Sequence, residues 1–182
     1  MRLRWALAAA VGCFACLGAG ASALAATSST PKGGRISVEV TPNNGATYPI
    51  VVVGAIGDYG TATTINKSGK VDPNGNFVRI ALKKGGFEVN STTLNKKANS
   101  GKPSIFNVTT CSFLFSASGP VTLFNGSGAY TGIAGTLTIN ESFAAILPRF
   151  TSGKKKGQCD DGNSANPIKE NGHISGSGKV TF

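Results

Sequence analysis

Apolar and polar residues alternate along most of this chain, which is the pattern of β-strands that bury one face. The segment RISVEV (35–40) places its three apolar residues on one side, and GTLTINESF (135–143) continues the same period over nine positions. Further segments rich in β-branched and aromatic residues also predict strands: YPIVVVGAIGDYGTATTI (48–65), GNFVRIAL (75–82), GFEVN (86–90), SIFNVTTCSFLFSAS (104–118), PVTLF (120–124) and GKVTF (178–182).

Turn signals separate these strands at short intervals. Residues 72–75 read Asp-Pro-Asn-Gly, and residues 83–86 read Lys-Lys-Gly-Gly between two apolar runs, which predicts a hairpin. Helical periodicity is weak throughout, and SFAAILPRF (142–150) has room for a single turn before Pro148. We therefore expect an all-β domain, a sandwich or a barrel, with one long loop at residues 151–172.

The N-terminus has the layout of a secretory signal peptide. Arg2 and Arg4 precede the apolar run 5–17, and Ala23 and Ala25 fit the small-x-small pattern of a cleavage site. The alternative, a membrane anchor, is disfavoured because the run is shorter than the roughly 20 residues a spanning helix needs. The sequence thus predicts a signal peptide at 1–25, a flexible leader at 26–34, a barrel or sandwich domain at 35–182, and an exported protein without a transmembrane anchor after cleavage.

The chain is strongly basic, with 18 Lys and Arg against 8 Asp and Glu and a formal net charge of +10. Loss of the predicted signal peptide lowers this by two, to +8. The lysines cluster in predicted turns and loops, above all Lys154, Lys155 and Lys156. They either solvate the surface and protect strand edges or attract an anionic envelope polymer or acidic lipid. Nucleic-acid binding is disfavoured because the aromatic residues lie in apolar strands instead of between basic ones.

Of the four cysteines, Cys111 and Cys159 lie outside the predicted signal peptide. Two cysteines in an exported chain usually pair, so we predict a disulfide between them. The alternative is a catalytic thiol, which needs a neighbouring base, and His173 is the single histidine of the chain.

The stretch NGSGAYTGIAGTLTI (125–139) carries four glycines and raises the question of a phosphate-binding loop. A dinucleotide fingerprint opens a helix, whereas strand alternation follows here, so turns and strand bends are the better interpretation. In ISGSGKVTF (174–182), Gly176 and Gly178 fall on the apolar face, as a tightly curved closed sheet requires.

The same stretch resembles the G-x-G-x-Phe/Tyr-x-x-x-x-G signature of the allene oxide cyclase and dirigent-like barrel superfamily, and is similar to that of small exported bacterial barrel proteins. The resemblance implies a single antiparallel barrel of about eight strands around an apolar cavity. Members of the superfamily with a known activity are isomerases or stereochemical guides for radical coupling, so the resemblance implies one of these two activities if the protein is active. Their functional residues lie largely outside the matched stretch, so none is transferred.

Four polar residues are candidates for a ligand site. Glu141 shares the apolar face of its strand, where a buried carboxylate has a raised pKa and serves as an acid, a base or a ligand contact; alternatively it reaches solvent at a strand end. Asp58 either faces inward or caps a bulge between Gly57 and Gly60. Tyr59 and Tyr130 either add hydroxyls to a pocket or pack with the hydroxyl at the rim.

Other chemistries have little support in the sequence. His173 has no cluster of ligating residues at zinc spacing, no G-x-S-x-G occurs, and Asp160-Asp161 lack calcium-loop spacing, so neither a metal nor a cofactor is predicted. The leading hypothesis is a non-enzymatic exported barrel that binds an apolar small molecule or an envelope partner. An isomerase or cyclase that uses Glu141 is the first alternative, and a structural surface protein attached through lysine-rich loops is the second.

Overall fold

The computed structural model describes residues 33–42, 46–162 and 165–182. The predicted signal peptide, and the predicted leader as far as residue 32, lie outside these residues. Gly33 and Gly34 were assigned to the leader, but they belong to the first strand, where they pair with Thr181 and Val180. The domain therefore begins at least two residues earlier than predicted.

The described residues form strands and one short helix. The strands are β1 (Gly33–Val40), β2 (Thr47–Gly54), β3 (Asp58–Ile65), β4 (Phe77–Leu82), β5 (Gly85–Asn90), β6 (Ile105–Asn107), β7 (Ser112–Gly128), β8 (Ala134–Ile146) and β9 (Lys169–Thr181). The helix α1 spans Thr92–Ser100, between β5 and β6. Among the described residues, no helix is long and apolar enough to cross a membrane.

Eight of the strands close into one antiparallel barrel. Neighbours pair in the order β5-β4-β3-β2-β1-β9-β8-β7, and pairing of β5 with β7 closes the ring. The predicted all-β fold and the single barrel of about eight strands are confirmed. The ninth strand, β6, pairs only with the start of β7 in these pairings, outside the ring.

The barrel core comes from the alternating residues that define the strand pattern. Ile36, Val38 and Val40 of β1 are all buried, and so are Leu137 and Ile139 of β8. On β9, which lies between these two strands, a side chain at Gly176 would overlap Ile139 of β8. The glycines of the last strand therefore allow the close packing that the sequence predicted for the curved wall.

The helix α1 was not predicted from the sequence. Its segment TTLNKKANS buries a single side chain, Leu94, so it has no periodic apolar stripe to detect. Tertiary contacts hold it instead. Leu94 packs against Gly119 of β7 so closely that a Cβ added at Gly119 would lie 3.4 Å from the Leu94 side chain. The Asn95 side chain donates hydrogen bonds to Gly75 O at 3.2 Å and to Asn76 Oδ1 at 3.1 Å.

Three local predictions differ from the structure. The segment 104–118 is not one strand: it contains β6, a turn and the start of β7. The segment 142–150 forms no helical turn, because β8 runs through Ile146 in continuous pairing with both neighbours. The predicted loop 151–172 is shorter, because β9 begins at Lys169. The predicted hairpin at residues 83–86 is confirmed.

The longest strands extend beyond the barrel. Strand β7 has 17 residues and β8 and β9 have 13 each, against 6 to 8 for β1 to β5. We call the part formed by β6 and residues 112–116, 142–146 and 169–173 the sheet extension. At its far end Cys111 and Cys159 lie at disulfide-bonding distance, with Cα atoms 5.3 Å apart, as predicted.

Candidate functional site

The barrel contains a partly open apolar cavity of about 240 Å³ at the end nearer α1. Its walls come from all eight barrel strands, and Leu94 and Asn95 of α1 contribute to the lining. Apolar side chains dominate it, among them Val38, Ile50, Ile80, Phe87, Val121 and Leu137. The barrel is therefore not completely filled with side chains at this end, and the cavity is suited to an apolar ligand.

Glu141 contributes the only carboxylate among the described residues that line this cavity. The register pairs it with Ala117 and Ile174, and its side chain follows Leu137 and Ile139 on the inner face, as the alternation predicted. No hydrogen-bond or ion-pair partner from the described part of the chain satisfies the carboxylate. Burial raises its pKa above the ordinary 4.5.

The same side chain also lines a second depression outside the cavity. That groove includes Lys97 near the end of α1, Ser118 of β7 and His173 of β9. Lys97 Nζ donates to Ser118 O at 2.7 Å, which anchors the helix to β7. Glu141 thus stands where the apolar interior meets a polar surface, a position from which it can contact a polar group on a bound molecule.

Asp58 and Tyr130 lie at the opposite end of the barrel and do not line the cavity. Asp58, with 7% of its surface exposed, accepts hydrogen bonds from Tyr59 N and Lys84 N, each at 2.9 Å, and from the Tyr130 hydroxyl at 2.7 Å. The Tyr130 ring meets Phe87 and Phe182 edge-on, with centroids 6.2 and 5.8 Å away. These contacts close the end of the barrel.

The hydrogen bonds at this closed end set the charge of Asp58. Burial on its own raises the pKa of the carboxyl, but the bonds from Tyr130 and the backbone N–H groups outweigh it and leave the pKa below the ordinary 3.8. Burial and the neighbouring Asp58 carboxylate both raise the pKa of Tyr130. The pair is an ionised carboxylate that accepts a hydrogen bond from a neutral phenol. This arrangement favours a structural role for the two residues over a role in ligand binding.

Tyr59 lies outside the barrel, on the outer wall. Its ring is exposed, and Lys83 Nζ lies 5.6 Å from the ring centroid. Of the four predicted ligand contacts, the structure therefore brings Glu141 to the cavity and leaves Asp58, Tyr59 and Tyr130 away from it. The sequence missed Leu94 and Asn95, whose place at the cavity depends on α1; the only local signal was Ser91 before Thr92, a residue type common at helix starts.

The remaining candidates lie on the surface. His173 is exposed within β9, where its Nε2 lies 3.5 Å from Glu39 Oε2. Lys154, Lys155 and Lys156 are exposed beside the sheet extension, and Lys155 Nζ lies 5.5 Å from the Phe150 ring centroid. Within the described ranges, no group of three His, Cys, Asp or Glu side chains is arranged to hold a metal ion.

The Gly-rich stretch has the geometry that its alternation predicted. It forms the end of β7, a turn, and the start of β8, so a strand and not a helix follows the glycines. Gly128 has a φ of +60°, and a Cβ there would lie 2.6 Å from Lys84 O, so the turn requires glycine. Comparison with protein-family models, with curated proteins and with solved structures gave no match.

Proposed function

We propose that this protein is an exported barrel that binds a small, mainly apolar molecule carrying one hydrogen-bonding group. The observation that carries the proposal is the apolar cavity of about 240 Å³ with the single carboxylate of Glu141 at its edge. An apolar cavity of about 150 Å³ is large enough for benzene, so this one accommodates a somewhat larger ring system. Export is supported by the signal-like segment 1–25 and by the cysteine pair at bonding distance.

The electrostatics of Glu141 support a ligand contact at this point. A half-buried carboxylate that has no partner among the described residues costs folding free energy. A hydroxyl or amine on a bound molecule supplies the missing donor, while the rest of the molecule displaces water from the apolar wall. Binding driven by apolar burial persists at high salt, unlike attraction to surface lysines.

The first experiment is native mass spectrometry of the protein from its host, followed by the denatured mass. A small molecule that leaves on denaturation identifies the ligand class directly, and the denatured mass reports the cleavage site and the cysteine bridge. In parallel, fluorescence titration compares 1-naphthylamine with naphthalene, which differ by one donor group. We expect both to bind, the amine more tightly.

Matched variants separate the cavity from the surface. Ala62 is buried in the cavity wall, and Ala62→Leu fills the space and is expected to abolish binding of both probes. Ala81 is exposed on the neighbouring strand, so Ala81→Leu is the control and leaves binding unchanged. Glu141→Gln removes the preference for the amine. Equal binding by the Ala62→Leu and Ala81→Leu proteins contradicts the proposal.

A second candidate function is an isomerase or cyclase of the kind that the superfamily resemblance implies. The observation that favours it is the raised pKa of Glu141 next to an apolar cavity, which suits a general acid that donates a proton and recovers it in the same cycle. Isomerisation needs no co-reactant. If the ligand found by mass spectrometry is converted by the wild type, Glu141→Gln is expected to retain binding and lose turnover; full turnover by that variant excludes this role.

A further inference from the structure

The far end of the sheet extension exposes a concentration of apolar side chains. Among the described residues nine large hydrophobic side chains are exposed, and five of them lie here: Ile105 at 57%, Phe106 at 44%, Val108 at 66%, Ile146 at 45% and Ile168 at 69%. We call these five the apolar tip. An exposed apolar cluster of this kind marks a surface that meets another phase or molecule.

The pairing of the strands brings the members of the apolar tip together. Phe106 lies opposite Phe113 on β7, and the adjacent row of the register joins Asn107, Ser112 and Ile146, so Phe106 and Ile146 project from opposite faces of the sheet. The backbone N–H of Ile168 donates to Ile146 O at 2.8 Å. Val108 and Phe106 line one groove together with Lys155. The five side chains thus lie at the same end of the sheet extension and cover both of its faces.

Cations outnumber acidic residues in the segments that carry the apolar tip. Residues 101–112 and 146–170 carry Lys102, Arg149, Lys154, Lys155, Lys156 and Lys169 against Asp160, Asp161 and Glu170. Arg149 is used internally and donates to Gly157 O and Thr109 O at 2.6 Å each. It so ties residues 150–158, which carry the lysine triplet and which we call the lysine loop, to the β6–β7 turn. The lysine triplet is therefore held next to the apolar side chains and leaves its ammonium groups exposed.

This combination points to one occupant. We propose that the apolar tip inserts into the interfacial region of an anionic lipid bilayer while Lys154, Lys155 and Lys156 contact the lipid phosphates. Apolar side chains at an interface and flanking lysines are the two signals of a peripheral membrane contact. A second copy of the chain fits less well, because a twofold interface built on this surface brings two positively charged tips together.

The apolar tip lies at the start of β7, and the closed end of the barrel lies at the other end of the same strand. The control surfaces are therefore available on the same molecule. Lys83 and Lys84 form the turn at the closed end, where Lys84 N binds Asp58. Val51 and Val53 are each 50% exposed on the outer wall of β2.

The test is co-sedimentation with vesicles of the chain without its apolar N-terminal segment. A mass measurement beforehand confirms that this segment has been removed. Vesicles of phosphatidylcholine are compared with vesicles in which part of the lipid is phosphatidylglycerol. We expect binding to the anionic vesicles only, reduced by high salt. Lys154→Gln with Lys156→Gln is expected to weaken it about tenfold or more, while Lys83→Gln with Lys84→Gln changes it little.

The apolar part is tested in the same assay. Val108→Ser with Ile168→Ser is expected to lower vesicle binding, and Val51→Ser with Val53→Ser is not. Absence of binding by the wild type, equal binding to neutral vesicles, or equal loss in the control variants overturns the proposal. So does a concentration-dependent dimer, seen by sedimentation velocity, that the tip variants abolish, because the tip is then a contact between copies. None of these outcomes depends on whether the cavity holds a ligand.

Discussion

The hydroxyl of Tyr130 donates a 2.7 Å hydrogen bond to Oδ2 of Asp58, across a sequence separation of 72 residues. This bond connects the start of β3 to the turn between β7 and β8. The same Asp58 oxygen accepts a hydrogen bond from Lys84 N in the β4–β5 turn. One buried carboxylate thus holds three separate turns together at the closed end of the barrel.

Removing the phenol hydroxyl is expected to destabilise the fold. Tyr130→Phe keeps the edge-on ring contacts but takes one donor from a buried carboxylate, which costs about 2 kcal/mol of unfolding free energy. Tyr59→Phe makes the same change on an exposed ring and is expected to stay within about 0.5 kcal/mol. Urea denaturation measures both. Equal losses in the two variants contradict a structural role for the buried hydrogen bond.

Stability is expected to fall in acid because of Asp58. Its pKa in the folded state is lower than its ordinary 3.8, so its contribution is present above about pH 4 and is lost as the pH falls through the folded pKa. Asp58→Asn is expected to be less stable at pH 7 and to show a flatter decline from pH 5 to pH 2. Asp161→Asn, in an exposed loop, is the control and should keep the wild-type slope. An unchanged slope in Asp58→Asn refutes the assignment.

Glu141 is expected to have the opposite effect. Burial raises its pKa above 4.5, so its favourable contribution is present below that pH and is lost as the pH rises through the folded pKa. Without ligand, Glu141→Gln is therefore expected to melt about 1–2 °C higher than the wild type at pH 7 and at the same temperature near pH 3.5. The difference is small because the carboxylate is partly exposed.

The control for that comparison is Glu39→Gln, the same substitution on the exposed outer face of β1. It is expected to leave the melting temperature at pH 7 unchanged or slightly lower. A Glu141→Gln protein that melts lower than the wild type at pH 7 shows instead that the carboxylate stabilises the fold, and its proposed availability to a ligand is then wrong.

How much the sequence predicted depended on whether the signal was local. Alternation placed Glu141 on the same face as Leu137 and Ile139 but left open whether it points inward or reaches solvent at a strand end; in the structure it lines the cavity edge. Asp58 was recognised as either inward-facing or a cap, but its partner Tyr130 was assigned to a pocket or its rim. The two residues meet only when the barrel closes, so no local pattern could pair them.

The helix α1 could not be predicted for the same reason, because contacts distant in sequence hold it. Its segment has no apolar stripe, and Leu94 is its one buried side chain, with hydrogen bonds from Asn95 and Lys97 completing its attachment to the barrel. Tertiary packing overrides a weak local preference here, and the cavity lining that depends on α1 was missed with it. The extension of β7, β8 and β9 beyond the barrel was equally inaccessible, because their alternation does not show where pairing with β1 and β5 stops.

The cysteine pair is expected to stabilise the sheet extension more than the barrel. Closing a loop over a separation of 48 residues is worth about 4 kcal/mol in the chain-entropy model. The bond, however, joins the β6–β7 turn to the lysine loop, both outside the ring of eight strands. In Cys111→Ala with Cys159→Ala, hydrogen exchange is therefore expected to accelerate at least tenfold at β6 and at residues 150–158, with little change in β2 to β4.

Two further measurements, one on an Arg149→Gln variant and one on the double cysteine variant, make this prediction specific. Arg149→Gln removes the second tie between the same segments and is expected to accelerate exchange in the same region. Binding of 1-naphthylamine in the cavity is expected to survive the double cysteine substitution, because the barrel wall is intact. If the amides of β2 to β4 exchange as fast as those of β6, the extension and the barrel unfold as one unit and the local role assigned to the cysteine pair is wrong.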